Sequence, residues 1–304
     1  MNILVAGGTG FIGTNLCAEL VDRGHEVTAL SRRPDDDVPE GVETTMGDVS
    51  AYDSIADPVA DHEAVINLVS LSPLYQPTGG ADHETVHLGG TENLVRAAED
   101  GDTDRFLQMS ALGADPHGET AYIRAKGRAE AVVRESDLEW TIVRPSVVFG
   151  DGGEFVSFTK RLTTPYVTGL PGGGRTRFQP IWVGDLVGML ADMLDDDDHV
   201  GETYEIGGPE VLSLAAVAEL AHAADGRPVT VLPVPMALSK LGLAAADRIP
   251  LLPFGLDQAR SLEFDNTVAD NDVTAFGRNE ADLRTLESYL GGSAGSDPAV
   301  GEPA

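Results

Sequence analysis

The sequence predicts an α/β protein: a doubly wound parallel sheet with a smaller, mainly helical C-terminal substrate domain. Three observations carry that prediction. Short apolar runs alternate with helical patterns through residues 1–150. Some of these runs, such as Ala64-Val65-Ile66-Asn67-Leu68-Val69, are apolar on both alternating faces, as strands covered by helices on either side must be. A glycine-rich turn also joins the first apolar run directly to the first helical pattern.

The first strand is Met1 to Ala6, and Gly7-x-x-Gly10-x-x-Gly13 follows it. Gly7 permits the tight turn out of the strand. Gly10 lets backbone approach a pyrophosphate, and Gly13 lets the helix pack close to the sheet. The helix, Thr14 to Arg23, carries Leu16, Leu20 and Val21 on one face. Free N–H groups and the positive end of its dipole face the phosphates. Strand, glycine turn and helix in this order make a Rossmann-type dinucleotide-binding unit.

Glu26 to Leu30 is the second strand, and Ser31-Arg32-Arg33 follows it. An NAD-specific chain usually has Asp or Glu near this strand end, to bind the ribose 2′-hydroxyl. Guanidinium groups suit a 2′-phosphate instead, through charge and bidentate geometry. NADP is therefore the expected cofactor, with NAD the alternative. Val42 to Met46 is the third strand, closed by Gly47-Asp48-Val49, where Asp48 can accept from an adenine amino group. Ala64 to Val69 is the fourth. Ser70 to Gly80, rich in Pro, Gly and Ser, is expected to loop over the cofactor.

His83-Glu84-Thr85-Val86-His87 matches the zinc-protease pattern H-E-x-x-H. No other histidine is spaced to supply an obvious third ligand. The segment also runs into Gly90-Thr91-Glu92-Asn93-Leu94, an ordinary helix on the sheet, so no metal is assigned.

Arg105 to Ser110 is the fifth strand, and Tyr122-Ile123-Arg124-Ala125-Lys126 lies in the helix after it. Residues four apart share a helix face. An ammonium beside a phenol favours the phenolate, so Lys126 is expected to lower the pKa of Tyr122 and fit it for proton exchange. Lys126 can also hold a nicotinamide ribose. It is one of three lysines, with Lys160 and Lys240.

Trp140 to Gly150 is the sixth strand and its exit, after which the alternation weakens. Residues 1–150 read as the cofactor-binding domain. Residues 178–208 return to it through Phe178–Asp185, a helix to Leu194 and a short strand, Thr203–Ile206. Residues 151–177 and 209–290 read as a substrate or lid region, and 291–304 as a disordered tail. Gly169 to Gly174 is expected to be a mobile loop or turn, and Asp195 to Asp198 a solvated helix end. Leu212–Ala224 and Met236–Asp247 are expected helices. The apolar segment Pro235–Phe254 reads as packing within the substrate domain or as a contact for an apolar substrate or a membrane surface.

Lys+Arg is 20 and Asp+Glu is 50, a net charge of −30. With no basic stripe to neutralise phosphates, nucleic acid is excluded as a partner. Acid excess with so little lysine reads as adaptation to concentrated salt, a halophilic habit in which repulsion is screened. Cys17 is the only cysteine, so no intrachain disulfide or cysteine metal cluster forms. The sequence shows no signal peptide, and no apolar stretch reaches the ~18 residues of a membrane span. A soluble, cytoplasmic protein is expected.

Taken together, these motifs resemble the short-chain dehydrogenase/reductases of the extended or atypical type. The carriers are Gly7-x-x-Gly10-x-x-Gly13, Asp48, Gly90-Thr91-x-Asn93-Leu94, Tyr122-x-x-x-Lys126, Arg144-Pro145 and Phe178-Gln179-Pro180…Val183-Gly184-Asp185. Within that superfamily the chain most resembles the group of the nucleotide-binding accessory subunit of respiratory complex I. Nucleoside-diphosphate-sugar epimerases and dehydratases are more distant. The resemblance implies that Gly7, Thr9, Gly10, Phe11, Ile12 and Gly13 hold the pyrophosphate side of the cofactor. It puts Ser31 and Arg32 at the adenosine 2′ side and Asp48 and Val49 at adenine. Leu68, Val69, Pro145 and Val148 line the rest of the cofactor, the last two near the nicotinamide. Tyr122 is then the general acid/base, Lys126 the ribose holder and Ser110 the accompanying hydroxyl. Relatives carry a run of hydroxyl residues after the fifth strand, where this chain reads Met109-Ser110-Ala111. Two functions follow. One is an enzyme that exchanges hydride with a nucleotide sugar, an isoprenoid or a quinone-like compound. The other is a non-catalytic accessory or redox-sensing subunit that keeps its nucleotide as a structural part.

Overall fold

Asn2–Ala6 forms β1, and Ile3 to Ala6 are wholly buried. In this computed structural model of the 304-residue chain, residues 1–33, 38–72, 82–235 and 264–293 are described. Six more strands join β1 in one sheet: β2 (Glu26–Ser31), β3 (Val42–Met46), β4 (Ala64–Asn67), β5 (Arg105–Met109), β6 (Glu139–Pro145) and β7 (Thr203–Ile206). Their order is β7-β6-β5-β4-β1-β2-β3, and every pairing is parallel. The order reverses between β1 and β4, which opens a crevice beyond the C-terminal ends of those two strands.

The sheet is covered on both faces because its strands are apolar on both. Ile3, Val5, Ile66, Leu107 and Val143 pack against α1 (Phe11–Asp22) and, later in the chain, Leu186, Met189 and Leu190 of the helix Val183–Asp195. The alternate residues Leu4, Ala6, Val65, Phe106 and Ile142 pack the other way. Their partners include Val59 of α2 (Ala56–Ala60), Leu94 of α3 (Gly90–Glu99) and Val133 of α4 (Ala121–Glu135). The remaining α-helices among the described residues are α5 (Glu154–Leu162), α6 (Val183–Asp195), α7 (Leu214–Ala224) and α8 (Leu286–Ser293). Arg23 ties α1 to α6 by donating to Asp192, Asp195 and the carbonyl of Gly188 at 2.8–3.0 Å.

Outside the sheet, α5, α7 and α8 share a smaller core with Phe155, Leu170, Phe178, Leu214, Val217 and Leu286. Here the structure departs from expectation. Tyr166–Pro171 is a strand, so the turn proper begins only at Gly172. It pairs in parallel with Val229–Val234, a strand within a region expected to be mainly helical. Val229–Val234 is rich in Val, and each segment gives the other a hydrogen-bonded neighbour that local pattern alone cannot reveal. Met236–Asp247 and almost all of Pro235–Phe254 lie outside the described residues. The last helix runs on to Ser293, past the start of the expected tail, and 294–304 lie outside the described residues. No described helix is long and apolar enough to cross a membrane.

Candidate active site

The crevice between β1 and β4 is floored by the glycine turn. Gly7 has φ +84°, a left-handed conformation that side chains resist. A Cβ on it would stand 3.2 Å from the backbone of Leu68 and Val69, so the exits of the two strands nearly touch. A Cβ on Gly13 would stand 2.2 Å from the Gly7 carbonyl oxygen, closer than any side chain allows. Gly10 is the N-cap of α1 and is exposed, and the first turn of the helix carries no acidic residue. The first N–H groups of a helix have no intrahelical partners. The turn therefore offers bare donors and a positive dipole end with no competing carboxylate, which fits a pyrophosphate. Phe11 and Ile12 are half-buried at this end. The Phe11 ring packs against Gly150 and Gly153, which bring the exit of β6 over the same crevice.

The residues expected at the adenosine side lie where β2 and β3 end together, with the Gly47 amide donating to the Ser31 carbonyl at 2.9 Å. The Ser31 hydroxyl donates to the Arg33 carbonyl at 2.7 Å. Asp48 accepts from the amide and hydroxyl of Ser50 at 3.0 and 2.6 Å. Those bonds, and more weakly the nearby Arg32 guanidinium, hold its carboxyl below the usual carboxylate range. Arg32 is exposed, and Val49 is buried against Gly90 of α3. At the opposite end, Pro145 closes β6 beside Ile206, and Val148 pairs with Ile181.

Tyr122 and Lys126 stand one turn apart on α4, whose N-cap Thr120 accepts from the Ile123 amide. The Ser70 side chain, just beyond β4, stands close enough to Tyr122 to pull on its phenol. Lys126 is 2% exposed and donates from Nζ to the Met109 carbonyl, at the end of β5, at 2.9 Å. Burial lowers its pKa to about 8, against a raising influence from Glu130. Burial pushes the Tyr122 phenol up to about 12, and only Ser70 pulls it down. The expected lowering of Tyr122 by Lys126 is thus not what this arrangement gives, because desolvation outweighs it and the ammonium is engaged by a backbone carbonyl. The Ser110 hydroxyl is buried beside the Glu130 carboxylate, without reaching full hydrogen-bond geometry. Its neighbour is therefore a structural anion.

Several residues of this neighbourhood escaped the sequence reading. Glu130 is held bidentately by Arg144, at 2.8 and 2.7 Å, and also paired with Arg134. Asn67 donates to Thr91 and Gln108 at 3.1 and 3.0 Å, and its carbonyl oxygen accepts from the Val69 amide. Gln108 in turn donates to the Met109 carbonyl that receives Lys126. A polar Asn and Gln inside otherwise apolar strands were the available signal. His83-Glu84-Thr85-Val86-His87 enters a π-helical turn, Glu84–Gly89. There the two imidazoles stack with centroids 5.4 Å apart, and both stand edge-on to the Tyr122 ring at 5.5 and 5.4 Å. Glu84 faces away and pairs with Arg128 at 2.6 Å.

A parallel sheet with its order reversed at β1 and β4, and a glycine cradle at that reversal, define an NAD(P)-binding protein of the Rossmann type. The chain belongs to the NAD(P)H-binding family, whose profile matches residues 7–165. It is 30% identical over 288 residues to the mitochondrial NADH dehydrogenase (ubiquinone) 1 alpha subcomplex subunit 9 of Arabidopsis thaliana, covering 88% of this chain and 71% of that one. It is 26% identical over 267 residues to UDP-glucose 4-epimerase of Vibrio cholerae, covering 79% and 80%. Among solved structures, a human epimerase family protein with NADPH aligns at TM-score 0.71 and 25% identity over 97% of this chain and 100% of that one. The Thermus thermophilus UDP-glucose 4-epimerase with NAD shares the fold, at TM-score 0.69 and 19% identity over 97% and 98%.

Proposed function

We propose that this protein is a cytoplasmic, salt-adapted NADPH-dependent oxidoreductase that reduces a small carbonyl compound, with Tyr122 as general acid. The observation that carries the reading is the placement of α4. It sets Tyr122 against Ser70 beyond β4 and fastens Lys126 to the end of β5, at the mouth of the glycine-lined crevice. The glycine turn would hold the pyrophosphate and Arg32 the 2′-phosphate, with Asp48 at adenine. NADPH, when bound, supplies the hydride. Tyr122 gives its phenolic proton to the substrate oxygen, and the Ser70 hydroxyl steadies the phenolate until a solvent proton replaces it. An ammonium has three donors, so Lys126 keeps two for a ribose after serving Met109. Substrate classes consistent with the relatives are a nucleotide sugar or a quinone-like compound; an isoprenoid carbonyl is the third.

One observation favours a second reading. A phenol raised to about 12 beside an immobilised lysine also suits a subunit that binds its nucleotide without turning over. Tyr122→Phe separates the two. Under the enzyme reading it cuts turnover of a carbonyl panel by ~10²–10⁴ and leaves the NADPH Kd unchanged. A wild type that binds NADPH yet reduces no member of the panel supports the second.

A further inference from the structure

The imidazole cluster around Tyr122 is not used by that mechanism. His87 is 2% exposed. The Leu71 amide donates to its Nε2 at 3.4 Å, so the neutral ring carries its hydrogen on Nδ1. That Nδ1 is buried with no hydrogen-bond partner among the described residues. An unmet buried donor costs about 1–3 kcal/mol. The ring is nonetheless firmly placed. It stacks on His83, stands edge-on to Tyr122, and its backbone carbonyl accepts from Thr91 at 2.7 Å. Thr91 is fixed in turn by Asn67. Local π-helical geometry, as in the turn that carries His87, is frequent at functional sites.

Carbonyl reduction builds negative charge on the substrate oxygen, and that oxygen is best held by two donors. Tyr122 supplies one, while the Ser110 hydroxyl lies beside Glu130. We infer that the Nδ1–H of His87 is the second donor, binding the carbonyl or hydroxyl oxygen of the substrate beside Tyr122. This rests on the enzyme reading above. Burial, the nearby Lys126 ammonium and His83 hold the His87 pKa down at about 2, so the ring works as a neutral hydrogen-bond donor and exchanges no proton. Its contribution is to polarise the carbonyl and stabilise the developing oxyanion, while Tyr122 alone transfers the proton.

Two readouts on the full chain test it. Two-bond ¹H–¹⁵N NMR of ¹⁵N-histidine protein, with His87 assigned by the loss of its signals in His87→Phe, should show a neutral Nδ1–H ring from about pH 5 to 9. An Nε2–H ring, or titration within that range, overturns the inference. In NADPH-dependent reduction of 9,10-phenanthrenequinone, His87→Phe keeps an aromatic ring and loses the donor. Its kcat should fall by ~10²-fold with an NADPH Kd within about twofold of wild type. His87→Asn, which offers an amide donor, should restore most of the rate. Equal rates in wild type and folded His87→Phe overturn this inference and leave Tyr122 standing. No turnover by the wild type of 9,10-phenanthrenequinone or of any nucleotide-sugar or isoprenoid carbonyl used in its place, with NADPH bound, overturns both.

Discussion

Arg32 is the residue on which the proposed preference for NADPH turns. It is exposed at the end of β2, close enough to Asp48 to lower that carboxyl, with the Ser31 hydroxyl engaged by the Arg33 backbone. A guanidinium free to swing toward a phosphate contributes about 1.5–3 kcal/mol through charged hydrogen bonds. Arg32→Ala should therefore weaken NADPH by ~10–100-fold and leave NADH nearly unchanged, as fluorescence titration of both would show. An unchanged preference would remove Arg32 from the site. This residue was legible because its chemistry is local: a charge at a strand end. The same holds for Tyr122 and Lys126, whose spacing alone puts them on one face. Their electrostatics were not legible. Whether Lys126 lowers Tyr122 depends on burial and on a Met109 carbonyl from another element, and neither leaves a mark in the helix sequence. Glu130 was hidden for the same reason: its bidentate partner, Arg144, is fourteen residues away on β6.

Among the elements, the β1–α1 turn and α4 make the sharpest statements. At Gly13 a methyl group would meet the Gly7 carbonyl oxygen at 2.2 Å, and the contact is backbone, which cannot swing aside. Gly13→Ala should cost about 1–3 kcal/mol of stability, read as a lower Tm, and weaken NADPH binding as the helix end moves off the turn. A variant with wild-type Tm and affinity would show that α1 does not pack as described. On α4, Lys126 has a pKa lowered to about 8. The folded state thus binds fewer protons than the unfolded state between pH 8 and the ordinary lysine value. Its contribution is a penalty of about 3 kcal/mol below pH 8 that is relieved as pH rises through that window. Lys126→Met should be more stable than wild type near neutral pH, with the difference shrinking toward pH 10, where chemical denaturation can follow it. The strands and helices of the sheet were legible in order because their apolar period is intrinsic. The pairing of Tyr166–Pro171 with Val229–Val234 was not, since it joins segments about sixty residues apart, the first overlapping an expected loop and the second inside a region expected to be mainly helical.

For the molecule as a whole, charge sets the conditions under which every other test must be run. A net charge of −30 on 304 residues repels itself at low ionic strength. At molar salt the screening length falls to about 3 Å, and that repulsion is largely removed. Tm should rise steadily with potassium chloride, and a Tm that falls or stays flat would contradict salt adaptation. The same charge was legible at once. The sheet order was legible only in class, because the right-handed crossover rule and the glycine turn restrict the topology without dictating where β7 attaches. Function is less legible than fold at this scale, since the chain is similar both to an epimerase and to a subunit of NADH dehydrogenase (ubiquinone). Catalysis must therefore be shown by the transfer itself. The full chain, in molar salt, is incubated with NADPH deuterated at the transferable C4 position and with nucleotide-sugar and isoprenoid carbonyl compounds, whose alcohol products keep the label on carbon; quinones, whose hydroquinones exchange it, are followed by NADPH oxidation. The products are then weighed by mass spectrometry. Deuterium in one product or quinone-dependent NADPH oxidation with the wild type, lost with Tyr122→Phe, is the predicted result; deuterium-free products and no quinone-dependent oxidation, with the labelled cofactor still bound, would contradict it.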